Sequence, residues 1–305
     1  MSAATTGRSG RGASVAVKAA VAIMCLVWGS TWLVLKVGLE EMEPLGSAAL
    51  RFMLAGVLMA PIAPWIARRE GGAAPTWDLV FAMAIGNFAL SYGIVYWAEE
   101  VVPSAHAAIL WGVFPLVTAL VGHVYLPTAR IVGIQWLGLF LGFLGVVALL
   151  AKDLDTLGGD AVTRGTVLLG SPMVSALATA YVKKHGQDVS AALLNRSALV
   201  VGGALLWAAA WAFEGGITLP TTPRSWFTVV YLGGFGTVLT FTLYFWVLRQ
   251  ASAVSLSLIA YVTPAIALVL GVFVGDEQVT VWTGVGLAFI LLGCGVVLQR
   301  SKSVK

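Results

Sequence analysis

Apolar runs of about 20 residues follow one another along nearly the whole chain, and charged residues, Pro or Gly separate them. A hydrocarbon core about 30 Å thick needs roughly 20 apolar residues in each crossing helix. The pattern therefore predicts an all-α membrane protein with ten transmembrane helices. The helices are expected at residues 16–38, 44–66, 77–98, 103–124, 130–151, 163–183, 190–213, 224–248, 253–274 and 279–299. Residues 1–15, which are small, polar and basic, are expected to form a disordered tail, and residues 300–305 a second tail.

An internal repeat links the two halves of the chain. The stretch PSAHAAILWGVFPLVTALVG (103–122) resembles ASAVSLSLIAYVTPAIALVLG (251–271), so that Pro115 matches Pro264 and Gly122 matches Gly271. The pattern predicts two five-helix repeats, at 16–151 and 163–299, joined by an outer loop at 152–162. Because five is odd, the second repeat enters from the opposite side of the membrane. The expected fold is a 5+5 inverted repeat, which secondary transporters use.

Composition and charge narrow the class of protein. The chain is 59% hydrophobic and 10% charged, with a mean hydropathy of +0.92. With the N-terminus inside, twelve basic residues lie at the inner side and only four, Lys36, Lys152, Arg164 and Arg224, at the outer side. The positive-inside rule therefore predicts that both termini are cytoplasmic. The expected location is a bacterial-type cytoplasmic (inner) membrane, which the chain crosses several times. The net charge of +4 belongs to the inner loops, which gives nucleic-acid binding no support.

Enzyme chemistry and cofactors find no support in the sequence. Cys25 and Cys294 both lie within apolar runs, so neither a disulfide framework nor a metal cluster is expected. Glycine-rich pieces such as GLFLGFLG (138–145) indicate helix packing, because no strand and loop precede a helix there. No Walker motif, zinc spacing or nucleophile constellation occurs. We therefore predict a protein that is not an enzyme, with no cofactor, no metal and no catalytic residues.

Several short motifs resemble a known family of transporters. They are W-G-S-T-W at 28–32, R-F at 51–52, the proline-containing fourth and ninth helices, and the D-E step of VGDEQVTVW (274–282). With the ten-helix repeat, they resemble the EamA-type members of the drug/metabolite transporter superfamily over residues 16–300. The matching place in the first half, YLPTAR (125–130), lacks the acid. The length and the tryptophan-rich helices are most similar to the aromatic amino-acid exporter branch, and this resemblance implies amino-acid export.

Polar and aromatic side chains share faces of several predicted helices, and these faces are candidates for a substrate site. Trp28, Thr31 and Trp32 lie on one arc of the first helix, whereas Ser30 points the other way. In the third helix, Tyr92 and Tyr96 form one i,i+4 pair, and Asn87 and Ser91 form another that suits interhelical bonding. The predicted substrate-binding residues are Trp28, Thr31, Trp32, Tyr92, Tyr96, His106, Trp111, Thr240, Tyr244, Ser257 and Tyr261. Packing between helices is the alternative for each of them.

Charged residues and prolines within the runs carry separate expectations. Arg51 and Arg196 lie inside runs, where charge is costly and marks function by default. Arg51 is a candidate contact for a substrate carboxylate, or else binds backbone carbonyls, water or an interfacial acid such as Glu40, Glu41 or Glu43, and Arg196 is a structural anchor. Pro115 and Pro264 are expected to kink their helices and are candidate hinges. No Asp or Glu lies clearly within a run, so the sequence favours transport down a gradient without strict proton coupling.

The predicted function is that of a secondary transporter that exports small metabolites, foremost neutral or aromatic amino acids, by alternating access. The expected partners are a small-molecule substrate and membrane lipids, and the chain is compatible with a monomer. Nucleotide sugars, lipid-linked sugars and drugs are alternative substrates. Proton antiport with His106 as the relay is an alternative mechanism, because the ordinary pKa of histidine is near 6.5.

Overall fold

Helices make up nearly all of the chain that the structure, a computed structural model, describes: residues 6–126, 131, 133–250 and 253–299. Side chains are described for these residues except 6–14, 70, 245, 248–250, 253–258, 260, 261 and 299. The ten helices are α1 (Thr6–Leu39), α2 (Pro44–Glu70), α3 (Trp77–Glu99), α4 (Ser104–Tyr125), α5 (Gln135–Leu157), α6 (Gly159–His185), α7 (Ala191–Phe213), α8 (223–250), α9 (Ala253–Phe273) and α10 (Val281–Gln299).

The lengths and apolar composition of these helices fit a membrane protein. Within the described residues, nine helices contain a segment long and apolar enough to cross a bilayer, and α9 contributes a shorter apolar stretch at Val262–Phe273. The prediction of an all-α membrane fold with about ten spans is confirmed. The predicted fifth span, 130–151, ends early, because α5 continues to Leu157 through a π-helical segment and a short 3₁₀ turn.

In the part of the chain that the structure describes, three helices carry π-helical segments, at Ala84–Ala89 in α3, Leu149–Asp153 in α5 and Tyr231–Leu239 in α8. The α-helical hydrogen bonds are replaced there by i→i+5 bonds, which widen the turn and turn the following side chains away from the 100° pattern. Helices α3 and α8 occupy the same place in the two halves. Segments of this kind occur frequently at functional sites.

The two prolines of the repeat act differently. Helix α4 breaks after Trp111 and resumes at Phe114, and Pro115 occupies the first turn of the resumed helix. Proline suits this position because its missing N–H has no partner in the first turn of a helix. Helix α9, in contrast, runs through Pro264 as one helix. Pro264 packs on Gly112 at the break of α4, where a Cβ would lie 3.3 Å from its Cγ.

Helices pack mainly against partners from the other half of the chain. The principal pairs are α5 with α10, α2 with α7, α3 with α6, and α1 with α8. The pair of α5 and α10 approaches through glycines, since a Cβ on Gly138 would lie 2.7 Å from the carbonyl oxygen of Gly293. A Cβ on Gly145 would lie equally close, 2.7 Å, to the carbonyl oxygen of Gly286. This close backbone contact agrees with the packing role expected for GLFLGFLG.

Two glutamates from connecting segments cap the starts of helices in the other half. Glu214, after α7, accepts hydrogen bonds from the backbone N–H groups of Leu45 (2.7 Å) and Gly46 (2.9 Å) at the start of α2. Burial raises the pKa of the Glu214 carboxyl above its ordinary value, and these two hydrogen bonds oppose the rise. Glu277, after α9, accepts from Ser104 N (2.6 Å) and Ala105 N (2.9 Å) at the start of α4.

The D-E step of VGDEQVTVW therefore has a structural role, in which a carboxylate satisfies the free N–H groups of a helix N-terminus. At the opposite, predicted inner face, the segments before α3 and before α7 meet in an isolated parallel bridge. Ala73 N donates to Asp188 O over 2.7 Å, and Ser190 N donates to Ala73 O over 3.0 Å. The two halves are thus joined at both faces of the bundle.

Candidate functional site

The aromatic residues of W-G-S-T-W lie against the π-helical segment of α8. The Trp28 indole Nε1 donates to the carbonyl oxygen of Gly236 over 3.2 Å, and its ring contacts Phe241 and Tyr244 with centroids 6.1 and 6.3 Å apart. The Thr31 hydroxyl donates to its own helix at Trp28 O, 2.8 Å away. A Cβ on Gly236 would lie 2.8 Å from the Thr31 methyl group, so this close approach requires glycine.

The two small residues of the motif hold α1 against its neighbours. Gly29 faces α9, where a Cβ would lie 2.5 Å from the Ile266 side chain. The Ser30 hydroxyl lies 2.6 Å from the Tyr231 hydroxyl on α8. The small residues in the middle of the first span therefore serve contacts with both α8 and α9 of the other half.

Arg51 lies at the centre of the bundle on α2 and is only 3% exposed. Its Nε donates to the Thr237 hydroxyl on α8 over 3.2 Å, and Thr237 donates in turn to Leu232 O within the π segment, over 2.8 Å. The guanidinium carbon lies 4.8 Å from the centre of the Tyr92 ring and 5.3 Å from that of Phe52. Tyr92 and Phe52 themselves form an edge contact at 4.8 Å. Aromatic faces thus surround this buried cation.

Among the described residues Arg51 forms no ion pair. Two of the three interfacial acids expected as possible partners are engaged elsewhere, since Glu40 pairs with Arg224 at 2.7 Å and Glu41 accepts from the Thr222 hydroxyl. The third, Glu43, is exposed. Several guanidinium donors of Arg51 have no acceptor in the described contacts. Because a buried cation is costly without a counter-charge, this position is suited to an anionic group of a ligand.

Two further polar groups of α3 lie near Arg51. Tyr96 is fully buried, and its hydroxyl lies beside the guanidinium without making a hydrogen bond of normal geometry. Glu99, one turn further, is also fully buried, and among the described residues neither of its carboxylate oxygens has a hydrogen-bond partner. Lys36 from α1 donates to the backbone carbonyls of Glu99 (2.5 Å) and Glu100 (3.0 Å) rather than to the Glu99 carboxylate.

The expectation that no acid lies within a span is therefore wrong. A charge at the end of an apolar run is easily read as the start of a loop, but α3 extends to Glu99 and buries it. Asp153 was expected in the outer loop at 152–162, and it instead lies in the π-helical segment of α5, 1% exposed. The argument against proton coupling that rested on this absence no longer holds.

His106 lies with Asp153 rather than with the aromatic residues. Its Nε2 is 2.8 Å from Asp153 Oδ2, which also accepts a hydrogen bond of 2.5 Å from the Thr283 hydroxyl on α10. His106 and Thr283 are both 1% exposed. This buried group joins α4, α5 and α10, and the structure does not bring it together with Arg51.

A second group of aromatic and hydroxyl side chains joins α1, α3, α4 and α6. The rings of Trp32 and Trp111 lie 6.3 Å apart, and the Trp111 indole N–H donates to the Ser171 hydroxyl over 3.0 Å. Ser91 lies 2.8 Å from Ser171 and accepts from Ser175 over 3.1 Å. Ser91 thus makes the interhelical bonds expected of it. Ser171 and Ser175 are not among the residues predicted from the sequence, although their i,i+4 spacing in α6 is a readable signal.

The remaining predicted residues have varied surroundings. The buried Thr240 hydroxyl donates to Gly236 O within its own helix, over 2.9 Å. The side chains of Ser257 and Tyr261 lie outside the described part of the chain. Arg196 is half-buried and donates weakly to Ser197, over 3.5 Å. Within the described residues, no three His, Cys, Asp or Glu side chains come close enough together to hold a metal ion.

The site that these contacts define is the region between α1, α2, α3 and α8, with the Trp111 group on the α4 side. It contains aromatic rings, hydroxyl groups, one buried arginine and one buried glutamate. A duplicated bundle of apolar helices with such a centre defines an α-helical membrane transporter.

The chain belongs to the EamA-like transporter family, whose sequence profile matches it twice, at residues 17–151 and 165–299. It is 28% identical to the "Uncharacterized inner membrane transporter YedA" of Escherichia coli K12. The alignment spans 287 residues and covers 92% of this chain and 91% of the relative. It is 26% identical to "Protein PagO" of Salmonella typhimurium LT2, over 80% of each chain. It is 24% identical to the "Uncharacterized transporter YoaV" of Bacillus subtilis 168, over 90% of this chain and 93% of the relative.

A crystal structure of a protein described in no further terms aligns with a TM-score of 0.66 at 18% identity. The alignment covers 96% of this chain and 99% of that chain, and it shows the fold alone. Together these findings make the protein a multi-pass membrane transporter of the drug/metabolite transporter superfamily, similar to an inner-membrane relative.

Proposed function

We propose that the protein exports neutral amino acids with aromatic or other large side chains across the inner membrane by alternating access. The observation that carries this proposal is Arg51, a buried arginine at the interface of the two halves without an ion pair among the described residues. A guanidinium offers five donors in a planar fork that matches a carboxylate. The carboxylate of an amino acid would supply the counter-charge.

The aromatic residues around Arg51 support a substrate with a large side chain. Tyr92 and Phe52 flank the guanidinium, and Trp28 contacts Phe241 and donates to the carbonyl oxygen of Gly236, the residue before Thr237. Aromatic pairs contribute about 0.5–1.5 kcal/mol beyond the burial of their surface. A flat or apolar side chain gains these contacts, whereas a strongly hydrated solute gains little.

The alternative substrates fit this site less well. A nucleotide sugar carries several negative charges, and the second nearby cation, Lys36, already donates to two backbone carbonyls. One observation favours a cationic drug as the substrate, because Glu99 is a buried acid whose negative charge would attract a cation. The neighbouring positive charge of Arg51 acts against a substrate that carries only positive charge.

The direct test is counterflow in proteoliposomes with labelled phenylalanine, threonine, a nucleotide sugar and a lipophilic cation. The unmodified protein should favour phenylalanine. Arg51→Gln removes at least two charge-assisted hydrogen bonds, each worth about 1.5–3 kcal/mol, so phenylalanine transport should fall at least a hundredfold. Arg196→Gln in α7 is the matched control, because it removes an arginine at the corresponding place of the other half, and it should leave the preference unchanged. Preferred transport of any other solute would contradict the proposal.

A second test separates recognition from packing. Trp28→Ala and Tyr92→Ala should reduce phenylalanine transport more than threonine transport when both rates are normalised to folded protein. If the aromatic residues serve only to pack helices, both substrates should lose transport equally, in proportion to the loss of thermal stability.

The proposed orientation has both termini in the cytoplasm. Twelve basic residues against four support this orientation. Asp155 and Arg69 are both exposed, at opposite ends of the bundle, and both native cysteines are buried. A membrane-impermeant maleimide added to intact cells should label Asp155→Cys and spare Arg69→Cys. The reverse pattern would invert the orientation.

A further inference from the structure

We propose that Glu99 binds the ammonium group of the substrate, so that Arg51 and Glu99 together form a template for the two opposite charges of a zwitterion. This inference rests on the proposed function, because it assigns the second half of the substrate to the same site. It adds a requirement that carboxylate recognition alone does not make, namely a free amine on the transported molecule.

The burial of Glu99 without partners is the first observation. The residue has no exposed surface, and both carboxylate oxygens lack a hydrogen bond in the described structure. Buried polar atoms are nearly always satisfied, and an exception needs an explanation such as an absent ligand. The hydroxyl of Tyr96, one turn away, also lacks a hydrogen bond of normal geometry in the described structure, although the Arg51 guanidinium lies beside it. These unpartnered atoms lie together on one helix, beside the arginine that also lacks an ion pair.

The directions of the helices bring the two charges toward each other. Helix α2 runs inward and α3 runs outward, and Arg51 lies seven residues, about 10 Å, below the start of α2. Long side chains in helices lean toward the helix N-terminus, so Arg51 leans outward from α2 and Glu99 leans inward from α3. The two charges act on each other electrostatically, yet no ion pair forms between them. A molecule that carries a carboxylate and an ammonium a few bonds apart would satisfy both.

The other charged groups around Glu99 are already engaged. Lys36 lies close enough to act on its charge but donates to the carbonyl groups at the end of α3. Glu277, which also acts on it, accepts the two N–H groups at the start of α4. On the α6 side, Arg164 pairs with Glu100 at 2.6 Å. Arg51 is the remaining charge that acts on Glu99, and it is the other half of the proposed template.

The experiment compares three solutes with the same phenyl group in proteoliposomes: L-phenylalanine, 3-phenylpropionate, which lacks the amine, and phenethylamine, which lacks the carboxylate. Each is measured as a competitor of labelled phenylalanine and as a transported solute. Glu99→Gln removes the charge and keeps the size of the side chain. Glu100→Gln is the matched control, since it removes the adjacent exposed carboxylate. Glu99→Asp retains the charge and tests for partial rescue.

The unmodified protein should prefer phenylalanine over 3-phenylpropionate by at least tenfold. In Glu99→Gln this preference should fall to near unity, while Glu100→Gln keeps it and Glu99→Asp restores part of it. An unchanged preference in well-folded Glu99→Gln would overturn the assignment and leave the carboxylate site at Arg51 intact. If transport by Glu99→Gln loses its dependence on pH while the preference for phenylalanine is unchanged, Glu99 is a proton site. That result would also overturn its assignment as the ammonium site. If the unmodified protein moves no amino acid, the proposed function itself fails.

Discussion

Glu277 offers the sharpest test of how the two halves are joined. Its carboxylate accepts two backbone hydrogen bonds, of 2.6 and 2.9 Å, at the start of α4. A hydrogen bond to a charged group contributes about 1.5–3 kcal/mol, and a negative charge at a helix N-terminus adds about 0.3–1 kcal/mol. Glu277 is only half-buried, so water replaces part of this interaction in a variant. We expect Glu277→Ala to lower the free energy of unfolding by about 2–4 kcal/mol and Glu277→Gln by about half as much.

The assay is unfolding of the purified protein in mixed micelles with increasing mole fraction of dodecyl sulfate. Asp276→Asn is the matched control, because it removes the adjacent charge at an exposed position and tolerates the positive φ of 50° found there. The control should leave the midpoint unchanged. The reasoning fails if Glu277→Ala unfolds within about 0.5 kcal/mol of the unmodified protein, or if Asp276→Asn costs as much.

Three further outcomes follow from described contacts. Gly293→Ala places a Cβ about 2.5 Å from a backbone oxygen of α5, so it should lower the free energy of unfolding by about 1–3 kcal/mol in thermal unfolding. Gly284→Ala is the control and should be neutral, because its Cβ meets nothing within 4 Å. Asp153→Asn, which weakens a buried acceptor of two hydrogen bonds, should destabilise by about 1–3 kcal/mol, and exposed Asp155→Asn should not. Because the folded state raises the pKa of Glu214 above its ordinary 4.5, its contribution to stability should be greatest below that pH and should decrease as pH rises through the raised value. Glu214→Gln should remove this component from the pH profile of unfolding, and an unchanged profile would contradict it.

The sequence predicted the helices well because the bilayer sets their length. Runs of about 20 apolar residues leave little freedom in where a span lies, and the two matches of the family profile follow the same division. The position of Arg51 was also readable, since a charge within an apolar run is expensive and rarely accidental. Its actual neighbours, Tyr92 and Thr237, come from helices far away in sequence, and no local pattern specifies such a contact.

The faces of α8 were less predictable because helical periodicity fails within a π segment. Thr240 and Tyr244 are predicted substrate-binding residues of this helix, and at 100° per residue they share one face. The structure directs the Thr237 hydroxyl to a carbonyl five residues earlier and to Arg51, and it binds Thr240 within its own helix. Tyr244, together with Phe241, contacts the Trp28 ring. The sequence of the segment, YLGGFGTVL, is rich in glycine, but glycine alone does not distinguish a π segment from close packing.

Because the helices pair across the two halves, one five-helix repeat is the unit that is duplicated in the sequence, whereas both repeats together are the unit that folds. Each main helix pair takes one member from each repeat, and the caps at Glu214 and Glu277 also cross between repeats. A single repeat synthesised alone would leave its glycine grooves and helix starts without partners. We therefore expect the first half of a nascent chain to complete its packing only after the second half has entered the membrane. Two half-chains expressed separately should restore transport only when both are present in the same cell.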